Sequence, residues 1–224
     1  MPTSPVALQL QAVLEDIPPL AIKTGMLFDA TIIEAVATAL EQVDIPLVVD
    51  PVMVATSGDR LLSKEAEAVL KRRLLPLATL LTPNLMEAEV LSGVKIDSRS
   101  ALYEAGQYLL ALGTKAVLIK GGHTADAEAT DYLFTDKGVT TFSSARIETA
   151  NTHGTGCTLS AAITAYIARG LSLEKAIEQG KEYLSEALNS GKMVAIGKGH
   201  GPVDHFFQPQ SLSLIHISEP TRLL

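Results

Sequence analysis

Two periodicities alternate along this chain. Short runs of consecutive apolar residues give way to longer stretches in which apolar residues recur every three or four positions. The first is the mark of strands and the second of helices. Ala21 to Gly25 reads as a strand ending in a turn. Asp29 is placed as the N-cap of a helix through Gln42, with Ile32, Ile33, Val36, Ala37 and Leu40 along one face. Pro46 to Asp50 is a near-continuous apolar strand, as a sheet covered on both faces requires. Ser63 is placed to cap a helix running to about Leu75 and stopping at Pro76. A third strand follows at Ala78 to Leu81. Next come a short helix from Asn84 to Ser92, ended by Gly93, and a longer one from Ser98 to about Leu112, followed by Gly113. Val117 to Lys120 is a fourth strand, and Tyr132 to Phe134 with Val139 to Phe142 flank Lys137-Gly138 as a hairpin. Thr155 to Arg169, closed by Gly170, and Ser172 to about Asn189 are the last helices. This alternation implies βαβ units with right-handed crossovers, hence an α/β fold with a mainly parallel sheet. No internal repeat or low-complexity linker interrupts it.

The 224 residues suit one large single-core domain. With 47% apolar and 19% charged residues, global disorder is excluded. A formal net charge of −7 with no basic run makes nucleic acid a poor partner. Any anion must be gripped locally, by backbone amides and a few cations. The single cysteine excludes an internal disulfide framework and a multi-cysteine zinc site, and it fits a reducing, cytoplasmic compartment. No apolar run approaches the length of a membrane helix, and Met1 to Gln11 lacks the basic start and apolar stretch of a signal peptide.

Four segments carry chemistry. Asn151-Thr152-His153-Gly154-Thr155-Gly156-Cys157-Thr158 opens a helix with two glycines around a threonine. Such a turn aims successive N–H groups into one concavity, and the helix dipole adds positive potential, so a phosphate fits there. Cys157 falls in the first turn, where the same field favours thiolate. A plain Gly-rich loop with a small buried cysteine accounts for the spacing equally well. In Val48-Val49-Asp50-Pro51-Val52-Met53 an aspartate ends a buried strand, where α/β sheets place ligands. Its carboxylate is suited to Mg²⁺, though a lone carboxylate more commonly caps a helix or loop. Asn84 and Glu87, in Thr82-Pro83-Asn84-Leu85-Met86-Glu87, share one helix face as oxygen ligands, or else form a capping box. Lys120-Gly121-Gly122-His123 follows a strand, its glycines permitting close approach and its lysine meeting phosphate charge, or it is a tight turn. Gly197-Lys198-Gly199-His200-Gly201-Pro202 is similar in style. No Walker-type loop and no GxGxxG is present. In a parallel sheet the first four segments gather at the C-terminal edge. An anion hole, two carboxylates and a lysine there describe a phosphoryl-transfer site.

The order DPVM, TPNLxEAE, KGGH and NTHGTGC resembles the bacterial hydroxymethylpyrimidine/phosphomethylpyrimidine kinase family, within the ribokinase-like superfamily, from about Leu10 to Phe207. The resemblance implies a three-layer α/β/α kinase domain over residues 1–208 that uses ATP and Mg²⁺. Its reaction would be phosphorylation of 4-amino-5-hydroxymethyl-2-methylpyrimidine and then of the monophosphate, in thiamine biosynthesis. It further implies that Gly154, Thr155 and Gly156 form the anion hole and that Cys157 deprotonates or orients the substrate hydroxyl. Asp50 and Glu87 become the magnesium- and phosphate-positioning carboxylates, and Lys120 the lysine that neutralises phosphate charge. Met26 lines the pyrimidine pocket or is a core methionine. Thr82, Asn84 and Lys198 lie on the nucleotide side. Pyridoxal kinases share this superfamily site, and homodimers are expected by analogy.

Both ends depart from the pattern. The family begins with a strand and a GSDxSGGAG-type loop, followed by a region with a substrate-binding glutamine; this chain has neither. The expectation is a fold that lacks its first strand region and leaves neighbouring strand edges exposed, in a piece that is inactive unless its pocket is complete. Leu212 to Arg222 resembles the translation of a transposase sequencing adapter, so residues 209–224 are expected to be a non-native tail.

Overall fold

The computed structural model describes residues 3–53, 60–121, 128–195 and 198–208. Gly122, His123, Gly197 and the tail at 209–224 lie outside the described residues. The elements run in the order α1 (Thr3–Asp16), β1 (Ile22–Thr24), α2 (Ala30–Leu40), β2 (Leu47–Val49), α3 (Lys64–Val69), β3 (Leu80–Leu81), α4 (Leu85–Ser92), α5 (Arg99–Ala111), β4 (Val117–Ile119), β5 (Glu128–Thr135), β6 (Gly138–Ala145), α6 (Thr155–Ala168) and α7 (Leu173–Gly191).

The six strands form one sheet in the order β1-β2-β3-β4-β5-β6. The first four are parallel, and the β5–β6 hairpin continues the sheet antiparallel. This monotonic order dictates the layers. Right-handed crossovers that always step in one direction put their helices on one face of the sheet. Alternate residues of the strands show the result. Leu47, Val49, Leu81, Val117, Ile119 and Phe134 join Ile33, Leu74, Leu91 and Leu109 in one core. Val48, Leu80, Leu118 and Leu133 join Leu159, Ile163, Ala176 and Ile177 of α6 and α7 in the other. The crossovers cannot cover that second face, so the last two helices do.

Side-chain caps start most helices. Asp29, Ser63, Asn84, Ser98 and Ser172 each accept an N–H from the first turn of α2, α3, α4, α5 and α7. Gly93, at φ 74°, closes α4 in the left-handed conformation that glycine adopts without steric cost.

Two expectations need correction. The helix capped by Ser63 does not run as one α-helix to Pro76. After Val69 it widens into a π-helical turn, Leu70–Leu74, and tightens into a 3₁₀ turn, Leu75–Leu77, that contains Pro76. Leu70, Leu74 and Leu75 are all buried. The widened turn and the tightened turn after it carry Leu74 and Leu75 side by side into the core. Helix α1 was not predicted at all. Its Val6, Leu10 and Leu14 pack on the first core at the spacing i, i+4, i+8, but Leu8 and Val13 are exposed between them, which blurs the apolar stripe.

Packing is tight where α5 crosses β5. Phe134 is fully buried, edge-on to Tyr103, and its ring fills the space a side chain at Gly106 would occupy. Gly106→Ala is therefore expected to lower stability by about 1–3 kcal/mol through overpacking, read as a lower urea midpoint at unchanged slope. Adding Phe134→Leu should recover part of that loss, as is expected only if the two positions share one volume.

Candidate active site

Side-chain alternation along the strands assembles the site. Val48 and Leu118 face the α6 side, so Asp50 and Lys120, two residues further on, face the same way beyond the strand ends. Lys23 is opposite Val48 in the β1–β2 register and turns to that side too. Above them sits the N-terminus of α6. That helix begins on Gly154, at φ 82°, with no side-chain cap. No acceptor among the described residues takes the N–H groups of Gly156 and Cys157. Unmatched N–H groups and the helix dipole make this an anion-receiving end.

Asp50 is the hub. It is buried. Lys120 Nζ donates to Oδ1 at 3.1 Å, and Lys23 Nζ lies 3.7 Å from Oδ2. The buried Ser160 hydroxyl is 3.1 Å from Oδ2 and also from the carbonyls of Gly156 and Cys157. Of these three acceptors the ionised carboxylate is the strongest. Lys120 Nζ also lies against Gly156, where a Cβ would crowd it. The spacing of this chain therefore brings Asp50, Lys120, Gly156 and Cys157 together.

Glu87 stands on the other side. Its Oε1 accepts from the Met53 N–H at 3.2 Å and its Oε2 from the Asn84 N–H at 2.9 Å, while Asn84 Oδ1 accepts from the Glu87 N–H at 2.8 Å. The capping box is thus present. Glu87 also ties the turn after β2 to α4. Burial pushes its carboxyl above the ordinary carboxylate range, nearby Lys120 and the two N–H donors oppose this, and Asp50 adds to the rise. The turn it holds is strained: Val52, a β-branched residue, has φ 42°, a conformation that costs about 1–3 kcal/mol.

The remaining predicted residues are more dispersed. Thr82 is fully buried and its hydroxyl donates to the Val49 carbonyl at 3.4 Å, which turns it into the sheet. Asn84 bridges to Lys120 through the backbone, and the Lys120 N–H donates to Pro83. Met26 is 49% exposed just after β1, so it is not a core methionine. Lys198 is exposed. Its loop docks beside the α6 N-terminus: the His153 N–H donates to Gly201, and Asn151 donates to the carbonyls of Gly191 and Val194 at 2.7 Å each.

The expectation of a lowered thiol pKa at Cys157 is overturned. Cys157 is an exposed residue, but partial desolvation of the thiol pushes its pKa up. The Asp50 carboxylate adds to the rise, and Lys23 and Lys120 oppose it. Burial leads, and the full negative charge of Asp50 acts with it against the helix's partial positive potential. Sequence reasoning also missed Lys23, Ser160 and the Asp131–Lys181 pair. Lys181 Nζ meets Asp131 Oδ2 at 2.6 Å, and Asp131 Oδ1 accepts the Gly121 N–H at 2.9 Å. This buried pair fixes the chain just after Lys120.

Phosphomethylpyrimidine kinase is the family whose model matches residues 1–204. The chain belongs to that family. It is 46% identical over 201 residues to hydroxymethylpyrimidine/phosphomethylpyrimidine kinase of Staphylococcus aureus (strain MSSA476), a match covering 88% of this chain and 72% of that protein. Among solved structures, phosphomethylpyrimidine kinase of Clostridium difficile 630 superposes with a TM-score of 0.74 at 39% identity, over 84% of this chain and 77% of that one. Bacillus subtilis pyridoxal kinase, as its ADP complex, gives 0.84 at 35% identity, over 92% and 77%. The ribokinase-like α/β fold and kinase membership expected from the sequence are both borne out.

Dedicated metal ligation is weak here. No group of three or more His, Cys, Asp or Glu residues is placed to hold an ion among the described residues, and Asp50 and Glu87 are already engaged by cations and N–H donors. That donor set fits a magnesium ion brought in on nucleotide phosphates with its own water, rather than a caged one.

The Cys157 environment gives a direct test. Removing the carboxylate leaves Lys23 and Lys120 beside the thiol, so Asp50→Asn should lower the thiol pKa and increase the thiolate fraction at pH 8. Iodoacetamide is expected to alkylate Cys157 several-fold faster in that variant. An unchanged or slower rate would show that Asp50 does not hold the thiol protonated.

Proposed function

We propose that this chain transfers the γ-phosphoryl group of ATP to the hydroxymethyl group of 4-amino-5-hydroxymethyl-2-methylpyrimidine and then to the resulting monophosphate, two steps of thiamine biosynthesis carried out in the cytoplasm. The observation that carries the reading is the uncapped α6 N-terminus facing the Asp50–Lys120 pair. Membership of the phosphomethylpyrimidine kinase family supports it, as does the ADP bound by the similar pyridoxal kinase.

In this reading the turn of Gly154 and Thr155 aims the unmatched N–H groups of Gly156 and Cys157 at the transferring phosphoryl oxygens, and the Lys120 ammonium balances their charge. Asp50 anchors that ammonium. Met26 borders the pyrimidine. Asn84 and Lys198 flank the nucleotide, and Thr82 supports it from within the sheet. Asp50 and Glu87 face a nucleotide-borne Mg²⁺, which when bound supplies further charge neutralisation. A thiol with a raised pKa stays protonated at neutral pH, so Cys157 orients the substrate hydroxyl instead of stripping its proton beforehand. A loose phosphoryl-transfer transition state tolerates this, because the hydroxyl proton departs late.

A second reading, pyridoxal kinase, is favoured by the superposition on the Bacillus subtilis enzyme. Release of ADP with each acceptor separates the two. The pyrimidine alcohol is expected to give at least about ten-fold higher kcat/KM than pyridoxal, the discrimination available to pocket contacts of 1–3 kcal/mol. A reversed preference would assign the pyridoxal reading. Cys157→Ala is expected to lower kcat on the pyrimidine alcohol by about 10²-fold, the lower end of what a positioned acid–base group contributes, with ATP affinity by calorimetry nearly unchanged. Full activity in that variant would remove Cys157 from the mechanism.

A further inference from the structure

Asp50 has two oxygens and two lysines, but it is satisfied without the second lysine. Oδ1 takes the hydrogen bond from Lys120 and Oδ2 has the Ser160 hydroxyl. Lys23 Nζ, at 3.7 Å, is beyond hydrogen-bond distance. Its side chain is 20% exposed, against 12% for Lys120. No ion pair joins Lys23 to Glu87 among the described residues, and both Glu87 oxygens accept from backbone N–H groups. Asp50 therefore faces one ammonium more than its own single charge balances.

The position of this surplus charge is informative. Lys23 is on β1 and Lys120 follows β4. The two strands are three sheet spacings apart, about 14 Å, and their lysines converge on Asp50 from opposite sides. Met26 follows β1 in the same segment as Lys23. Lys120 thus approaches Asp50 from the side away from Met26, and Lys23 approaches it from β1, the strand that leads into Met26 and that also packs against α6. For an acceptor seated by Met26, as the proposed function has it, Lys23 is the cation carried by the same segment.

The proposed function requires two acceptors of different charge. A hydroxymethyl group is neutral. A phosphomethyl group carries about −1.5 to −2 at neutral pH and meets a second highly charged phosphoryl group. A cation near the acceptor is needed far more for the second transfer than for the first. We propose that Lys23 is the residue that binds the acceptor phosphate, and so allows one site to phosphorylate both the alcohol and its monophosphate. In the second transfer an oxygen of the acceptor phosphate forms a bond to the γ-phosphorus of ATP. The bond from that phosphorus to the β–γ bridging oxygen breaks, and ADP leaves with the electron pair. The attacking oxygen is already ionised, so no proton has to be removed. Lys23 offsets charge where Cys157 orients a hydroxyl in the first transfer.

This inference rests on the proposed pyrimidine-kinase function, and its test separates the two. The purified full chain and its Lys23→Met and Lys23→Arg variants would be assayed for ADP release, once with the pyrimidine alcohol and once with its monophosphate. Lys23→Met is expected to lower kcat/KM for the monophosphate by about 30-fold more than for the alcohol, the scale of removing one partner from a desolvated charge pair. Lys23→Arg should restore most of the difference. Equal losses with both acceptors, or a preserved rate with the monophosphate, overturn the assignment. Calorimetric binding of the monophosphate provides the second measurement, because it needs no turnover. It is expected to be at least ten-fold tighter with Lys23 than with Met at that position, and equal affinities overturn the assignment. Wild-type turnover of pyridoxal but of neither pyrimidine acceptor would count against the proposed function, and the binding comparison would still decide the role of Lys23.

Discussion

A carboxylate inside a protein is tolerable only with compensating charge and hydrogen bonds. Asp50 meets that condition with partners that lie far apart in the chain. Lys120 reaches it from the end of β4, and Ser160 from the second turn of α6, 110 residues away. Lys23 adds field from β1. Each partner sits on a different element, so satisfying one buried charge fixes the relative positions of the sheet edge and the helix above it. The α6 N-terminus is thereby held over the strand ends. Without Asp50 the two lysines would repel each other beneath an uncapped helix start that itself carries positive potential.

Around this hub, secondary contacts hold the pieces that bear no charge of their own. Glu87 stitches the turn after β2 to α4 and maintains a strained Val52 in doing so. Asp131, anchored by Lys181, holds the Gly121 N–H just beyond Lys120. Asn151 ties the loop before α6 to the chain after α7. Asp131 and Asn151 need touch no substrate, yet each, like Glu87, limits where a chemically active neighbour can move.

Local signals made much of this legible in the sequence. Asp29 and Ser63 are legible as caps because a cap needs only the residues within its own first turn. The strands were read from apolar runs, and Asp50 and Lys120 from their places at strand ends. The resemblance to a kinase family supplied roles that spacing alone left open. The rest depended on distant neighbours. No local pattern ties Ser160 to Asp50 or Lys181 to Asp131. The thiol of Cys157 differs from expectation for the same reason: the helix field is visible in the sequence, but the burial that opposes it, and the Asp50 carboxylate that adds to that burial, come only with the fold. Lys23 was passed over because a lysine inside a three-residue strand carries no signal of what lies across the sheet.

The monotonic order of the strands also bears on how the chain folds as it is made. Everything through β4 and its crossover helices precedes α6 and α7 in the sequence. A growing chain can therefore pair its parallel strands and cover one sheet face while Val48, Leu80 and Leu118 on the other face still have no helix to pack against. Until α6 and α7 emerge, the nascent molecule presents a bare apolar surface of the kind that chaperones bind and aggregates grow from. Helix α6, one of the two that end this exposure, also brings the uncapped turn at Gly154 over the strand ends, so one event covers the sheet and completes the cluster around Asp50.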